Sequence, residues 1–152
     1  MKKNQFIKSM NVSCETLKSF CEYEVLLFKW NKKINLVSKN SLVDTWERHF
    51  LDSGQIINHV EATGKRWVDV GSGAGFPGLV VALLLRDRKI DCDITLVEKN
   101  PKKVFFLNAV IRKLNLSVKV VNENIDSLEP LNADILTARA FSELNKLIEI
   151  AY

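Results

Sequence analysis

The sequence predicts an α/β architecture, a mostly parallel sheet of about four strands preceded by an N-terminal helical cap. Three observations predict it. From residue 65 onward, short β-branched and apolar runs alternate with helix-length runs, the pattern of a parallel sheet with crossover helices. The segment Asp69-Val70-Gly71-Ser72-Gly73-Ala74-Gly75-Phe76-Pro77-Gly78 stands between the apolar runs Trp67-Val68 and Leu79 to Leu85, and so reads as strand, glycine-rich turn, helix. Within residues 1–64, in contrast, the stretches from about Ser13 to Lys33 and from Ser41 to about Val60 carry helical spacing.

Taken in order, the first expected element is a helix from about Ser13 to Lys33. Ser13 is placed to cap it, Glu15 and Thr16 lie in its first turn, and Leu17, Phe20, Cys21, Glu24, Leu27, Phe28 and Asn31 form a mostly apolar stripe. After a break at Ile34–Asn40, Ser41 caps a second expected helix running to about Val60. Leu42, Thr45, Trp46, His49, Phe50 and Ile56 or Ile57 face inward, and Gly64 ends the cap. Then follow a strand at Arg66–Val70, a helix at Pro77–Arg86, a strand at Asp93–Glu98, and a helix at Pro101–Leu114 with proline in its first turn, where its missing N–H costs nothing. A short β-branched strand at Val118–Val121, a strand at Asp134–Ala138 and the start of a helix at Ser142–Tyr152 complete the series. The expected strand order is 3-2-1-4.

A chain of 152 residues suits one domain, with residues 1–64 as the cap and 65–152 as the core. The net charge of +4 permits a polyanionic partner without requiring one, and the basic residues form no tail-like block. No apolar run reaches the ~18 residues of a membrane span, and Met1–Ile7 lacks the apolar region of a signal peptide. The expectation is a cytoplasmic monomer with no membrane partner. Cys14, Cys21 and Cys92 form no CxxC pair and read as reduced structural thiols. With only two histidines, neither near a cysteine in sequence, no metal site is expected.

The glycine loop carries the chemistry. Glycine lets the backbone approach a ligand closely, and the following helix offers free N–H groups and a positive dipole end. Two cofactors fit. Gly73-x-Gly75-x-x-Gly78, with Glu98 20 residues beyond Gly78, matches a dinucleotide fingerprint. Asp-x-Gly-x-Gly-x-Gly from Asp69 to Gly75 looks like an S-adenosylmethionine loop. Asp69 favours the second, because a carboxylate at the strand end suits an amino-acid moiety better than a pyrophosphate. Glu98, at the end of the second strand, can accept hydrogen bonds from both ribose hydroxyls.

Five segments, in order, carry a wider match, and the first two of them lie outside any generic cofactor motif. They are Trp30-Asn31-Lys32-Lys33-Ile34-Asn35-Leu36, Arg48-His49-Phe50-Leu51-Asp52-Ser53, Val68 to Gly78, Val97 to Leu107, and Ala138-Arg139-Ala140-Phe141. With them, roughly Phe28 to Leu144 resembles the bacterial 16S ribosomal RNA guanine-N(7) methyltransferases, once called glucose-inhibited division protein B. The resemblance implies a Rossmann-like S-adenosylmethionine-dependent methyltransferase fold, S-adenosyl-L-methionine as cofactor, and 16S ribosomal RNA or the small ribosomal subunit as partner. It implies that Gly71 and Phe76 bracket the cofactor loop and contact the cofactor, whose close approach Gly73 and Gly75 permit. By its own chemistry Asp69 either holds the cofactor's ammonium, directly or through water, or caps the strand end. Ile125 and Asp126 would face the adenine edge, and Arg139 is the binding arginine at the end of strand four. No catalytic base is expected, since guanine N7 carries a lone pair and no proton. His49 and Asp52, three apart, share a helix face and can orient each other near the site. Lys32, Lys33, Lys39, Arg48, Lys99, Lys102 and Lys103 offer a discontinuous phosphate-contacting surface.

Two departures qualify the expectation. Asn124 stands where the family usually has arginine, and the family's later strands, with a lysine–glycine segment, are absent. Four strands leave strand four as an open apolar edge. The chain is therefore expected to be a truncated product, a fragment, or a protein whose edge a partner covers. The competing functions are a catalytically impaired cofactor- or RNA-binding remnant of the same family and a dinucleotide-dependent oxidoreductase.

Overall fold

The computed structural model describes residues 2–139 and Ile148. Ala140, Phe141 and, apart from Ile148, the helix expected over Ser142–Tyr152 lie outside the described residues.

Helices α1 (Lys2–Met10), α2 (Cys14–Asn31) and α3 (Lys39–Val43) build the cap. A π-helical turn at Trp46–Leu51, a short α-helical turn α4 (Asp52–Gly54) and a 3-10 turn at Gln55–Asn58 complete it. The core follows as β1 (Lys65–Val70), α5 (Gly78–Asp87), β2 (Cys92–Val97), α6 (Pro101–Leu114), β3 (Val118–Val121), a 3-10 turn at Ile125–Ser127, and β4 (Ile135–Ala138). All strand pairs are parallel, in the expected order β3-β2-β1-β4.

Local chemistry explains the elements that matched expectation. The Ser13 hydroxyl accepts from the Thr16 N–H at the start of α2. Asn100 caps α6 by accepting from the Lys102 N–H, and Asn115 ends it in a left-handed conformation (φ 50°). Gly78–Leu85 is buried all round, as a helix caught between sheet and cap must be.

Three expectations are corrected. Helix α1 was not anticipated. It lacks acidic residues in its first turn and holds through Phe6, fully buried against Phe20 and Trp46 at ring-centroid distances of 4.8 and 5.4 Å. The second cap helix is not continuous: Ser38, not Ser41, caps α3 by accepting from the Ser41 N–H, and α3 stops at Val43. Thr45, Trp46, His49, Phe50 and Ile57 nevertheless point inward as expected. On α2 the buried face is Thr16, Phe20, Tyr23 and Leu27, so the stripe is rotated and Phe28 is exposed.

The main core joins the cap to one face of the sheet, from Phe6, Phe20, Phe50 and Trp67 through α5 to Phe106 and Leu107. On the opposite face Val68, Val70 and Val97 gather Ile125, Leu128, Leu131 and Leu136. The carboxyl ends of β1 and β2 meet between these cores, which is where an open parallel sheet presents its crevice.

Candidate functional site

The turn after β1 is pinned by its own backbone. The N–H groups of Gly71 and Ser72 donate to the Val97 carbonyl at 2.8 and 3.1 Å, and the Ser72 hydroxyl donates to the Asp69 carbonyl at 2.8 Å. Its glycines serve different ends. At Gly73 (φ +57°) a Cβ would meet only the Gly71 carbonyl oxygen, at 3.7 Å, so the backbone faces open space. At Gly75 (φ +87°) a Cβ would come within 2.5 Å of the Tyr23 hydroxyl. At Gly78 it would overlap the Leu96 side chain and lie 2.8 Å from Asp69 Oδ2. Gly78→Ala is accordingly expected to cost roughly 1–3 kcal/mol, the usual range for an overpacked core. Urea denaturation checks this, and an unchanged midpoint would contradict the packing role.

Glu98 is buried, with its carboxylate drawn back over the loop. Oε2 accepts from the Gly73 N–H and Oε1 from the Asn100 N–H, both at 2.8 Å. Asn122 ties the end of β3 to this corner, donating to the carbonyls of Glu98 and Lys99 at 2.9 and 3.1 Å. Ile125 and Asp126 follow in the 3-10 turn, where Asn124 accepts from the Asp126 N–H and Ile125 packs on the Val97 cluster.

Asp69 is fully buried and clasps three elements. Its Oδ1 accepts from the Thr137 hydroxyl at 2.8 Å, and that hydroxyl oxygen accepts from Trp67 Nε1 at 2.9 Å. Its Oδ2 accepts from the Gly78 N–H at the start of α5, 3.2 Å away. Burial pushes its pKa up from 3.8 to about 6, against the opposing pull of these donors and of Arg139. The carboxylate therefore shapes the loop from beneath.

Arg139, at the end of β4, reaches back to the cap. Nη1 donates to the Arg48 carbonyl (3.1 Å), Asp52 Oδ2 (3.2 Å) and, at the limit, Ser53 Oγ (3.5 Å), while Nη2 lies 2.6 Å from His49 Nδ1. The His49 ring stacks on Phe76, with centroids 4.6 Å apart and planes 7° apart, and the Arg139 Cζ lies 5.7 Å from the Phe76 centroid. Phe76 also stacks on Tyr23, whose hydroxyl donates to the Ala74 carbonyl at 2.5 Å. Phe76 is thus buried in the aromatic contact between cap and loop. Beside Arg139 an open cleft of about 790 Å³ is lined by Arg48, His49, Asp52 and Gln55, among others.

The fold thus gathers the expected residues along one sheet edge: Gly71, Gly73 and Gly75 in the turn, Glu98 against Gly73, Ile125 and Asp126 after β3, and Arg139 after β4. Asp69 and Phe76 lie beneath and behind that turn. Sequence reasoning missed Tyr23, Asn122 and Thr137. Thr137 sits opposite Asp69 in the β1–β4 register, so the strand order with its register would have found it. Nothing in the sequence marks the Tyr23 hydroxyl. Among the described residues no group of His, Cys, Asp and Glu can hold a metal, the three cysteines are free thiols, and no helix is long and apolar enough to cross a membrane.

The profile of the family described as GidB, rRNA small subunit methyltransferase G, matches residues 16–152. Among curated proteins, the ribosomal RNA small subunit methyltransferase G of Ruegeria pomeroyi is 43% identical over 143 residues, 94% of this chain and 70% of the relative. That of Bartonella tribocorum is 40% identical over 145 residues, 93% of this chain and 67% of the relative. Among solved structures, a Methanococcus maripaludis protein proposed to be an S-adenosyl-L-methionine-dependent methyltransferase superposes with a TM-score of 0.56 at 20% identity. The match covers 68% of this chain and 49% of that one, and it bears on the fold alone.

Proposed function

Because this chain belongs to the rRNA small subunit methyltransferase G family, we propose that it binds S-adenosyl-L-methionine over the Gly71–Gly75 turn and methylates N7 of a guanine in 16S ribosomal RNA. The observation that carries the reading is the open backbone at Gly73 beside the Glu98 carboxylate, at the carboxyl ends of two adjacent parallel strands. A ligand there meets no side chain from Gly73, and Glu98 retains lone pairs for two vicinal hydroxyls. Ile125 offers an apolar wall for a purine, and the Asp126 carboxylate an acceptor for an exocyclic amine. Asp69 acts through the loop it clasps, by way of Gly78 and Thr137.

When bound, the cofactor supplies an electrophilic methyl group on a sulfonium. Guanine N7 presents an in-plane lone pair and carries no proton, so transfer of that methyl would need no base: the N7–CH₃ bond would form as the S–CH₃ bond broke, with the positive charge passing to the purine and S-adenosylhomocysteine as the leaving product. The chain's task is orientation, which can supply most of the rate. That accounts for a site built from glycines, an acid and an arginine without a general base.

The RNA partner calls for a cationic approach to this edge. Lys29, Lys32 and Lys33 at the end of α2 lie one helical turn or less from Trp30, which packs edge-on against Phe106 at 5.9 Å. Lys99, Lys102 and Lys103 precede that phenylalanine at the start of α6. None of these six ammonium groups joins an ion pair among the described residues. Lys102 and Lys103 also stand in a first turn that carries no acid, against the helix dipole. Replacing Lys99, Lys102 and Lys103 by Gln is expected to lower the slope of log K against log salt for 16S RNA by about 2–3, at 0.7–0.9 per phosphate contact. An unchanged slope would remove this surface from the interface. A cytoplasmic, monomeric protein is the state consistent with such a partner.

Isothermal titration with S-adenosylhomocysteine, followed by methyl transfer to small-subunit RNA, tests the whole reading. Saturable binding with incorporation at guanine N7 is expected. Binding without transfer would make the chain a cofactor-binding remnant, and no binding by a folded chain would overturn the site.

A further inference from the structure

We propose that His49 is a positioning residue that sets the orientation of Arg139 from the helical cap. The inference rests on the reading above, in which Arg139 belongs to the cofactor- and RNA-facing edge.

The chemistry of the pair fixes its protonation. A guanidinium is donor-only, so the 2.6 Å contact between Arg139 Nη2 and His49 Nδ1 requires Nδ1 to be the acceptor. The imidazole is therefore neutral and carries its proton on Nε2. Burial, together with Arg139 and Arg48, lowers the pKa of His49 to about 4, which keeps it in that form. Nε2 is buried and has no hydrogen-bond partner among the described residues. An orphaned buried donor is a stability cost that a leucine or phenylalanine would avoid. The same position offers little reason for histidine except the acceptor at Nδ1.

The surroundings leave the arginine a single seat. The ring of His49 lies flat on Phe76, so its Nδ1 cannot swing without leaving that stack. Asp52 Oδ2 and the Arg48 carbonyl take Nη1 from the same stretch of cap, while Phe76 underlies Cζ at 5.7 Å. The π-helical turn at Trp46–Leu51 makes this possible: the Asp52 N–H bonds both the Glu47 and His49 carbonyls, and His49, Phe50 and Asp52 are presented in one widened turn. Loop and arginine, 63 residues apart in the chain as Phe76 and Arg139, are thus set by one imidazole of the cap.

Two substitutions separate positioning from packing. His49→Asn keeps an acceptor near Nδ1, and His49→Gln moves it toward Nε2. Hydrogen exchange of the Arg139 guanidinium protons, followed by ¹⁵N NMR on the full chain, is expected to stay slow in the wild type and His49→Asn and to quicken at least tenfold in His49→Gln. The Kd for S-adenosylhomocysteine is expected within about threefold of wild type for His49→Asn and at least tenfold weaker for His49→Gln. On an Arg139→Ala background His49→Gln should add nothing further. Unchanged guanidinium exchange in His49→Gln, or an affinity loss that persists without Arg139, would overturn the proposal. A wild-type chain that fails to bind S-adenosylhomocysteine would overturn the cofactor reading instead, and the exchange measurement would still decide the role of His49.

Discussion

Gly73→Asp is expected to weaken S-adenosylhomocysteine binding at least a hundredfold while the chain still folds cooperatively. The reason lies in what surrounds that residue. A Cβ there meets nothing in the protein nearer than 3.7 Å, and aspartate is among the few side chains that tolerate a left-handed backbone such as its φ of +57°. The stability cost is therefore modest, of the order of 1 kcal/mol. The affinity cost is not, because the new carboxylate fills the space reserved for the ligand and stands beside Glu98, whose Oε2 holds the Gly73 N–H at 2.8 Å. Glu98 would then face a like charge where it should accept two hydroxyls. Isothermal titration and a urea melt on the same preparation check both halves. Wild-type affinity in Gly73→Asp would move the ligand elsewhere, and loss of folding would show that the open space is not open. Gly78→Ala is the counterpart: there the side chain is excluded by Leu96 and Asp69, so stability and not affinity should suffer first.

Between about pH 4 and 6, stability is expected to depend weakly on pH in the wild type and strongly, with opposite signs, in two variants. Asp69 titrates near 6 in the folded chain against an ordinary 3.8, so in this window the native state holds the extra proton and stability falls as pH rises. The displacement corresponds to at most roughly 3 kcal/mol, at about 1.36 kcal/mol per pH unit. His49 titrates near 4 against an ordinary 6.5, so the unfolded state holds the extra proton and stability rises as pH rises. The two slopes oppose over nearly the same range. Asp69→Asn keeps an acceptor for the Gly78 N–H and removes the first slope, so its stability should climb from pH 4 to 6.5 and exceed the wild type at pH 7. His49→Asn removes the second, so its stability should decline as pH rises. Urea denaturation at pH 4.5, 5.5 and 6.5 measures this. Three parallel profiles would mean that neither group is desolvated as the structure places it.

The same two residues mark how far the sequence could be read. Asp69 was visible as an acid at the end of an apolar strand before a glycine turn. Its partners were not, because Thr137 enters only through β1–β4 pairing and Gly78 only through the curl of the turn. Phe76 was legible as part of the loop motif, yet its burial between His49 and Tyr23 depends on a cap whose docking no local pattern encodes. Helix α1 escaped notice for a related reason: its short, polar segment gains stability from Phe6 entering an aromatic cluster assembled by other elements.

By itself the sequence determined the alternation of strands and helices, the bounds of α6 and β3, and the glycine turn with its acid at the end of β2. These follow from short-range causes: caps, proline at a first turn, β-branched runs, and the steric freedom of glycine. Only the tertiary structure decided which oxygens Glu98 offers to Gly73 and Asn100, which glycine faces open space and which is packed shut, and that Arg139 meets His49 and Asp52 across some ninety residues of chain. Those outcomes depend on burial and on hydrogen-bond partners far apart in sequence. The free energy of a buried polar group is set by neighbours that exist only once the sheet and cap have closed on each other.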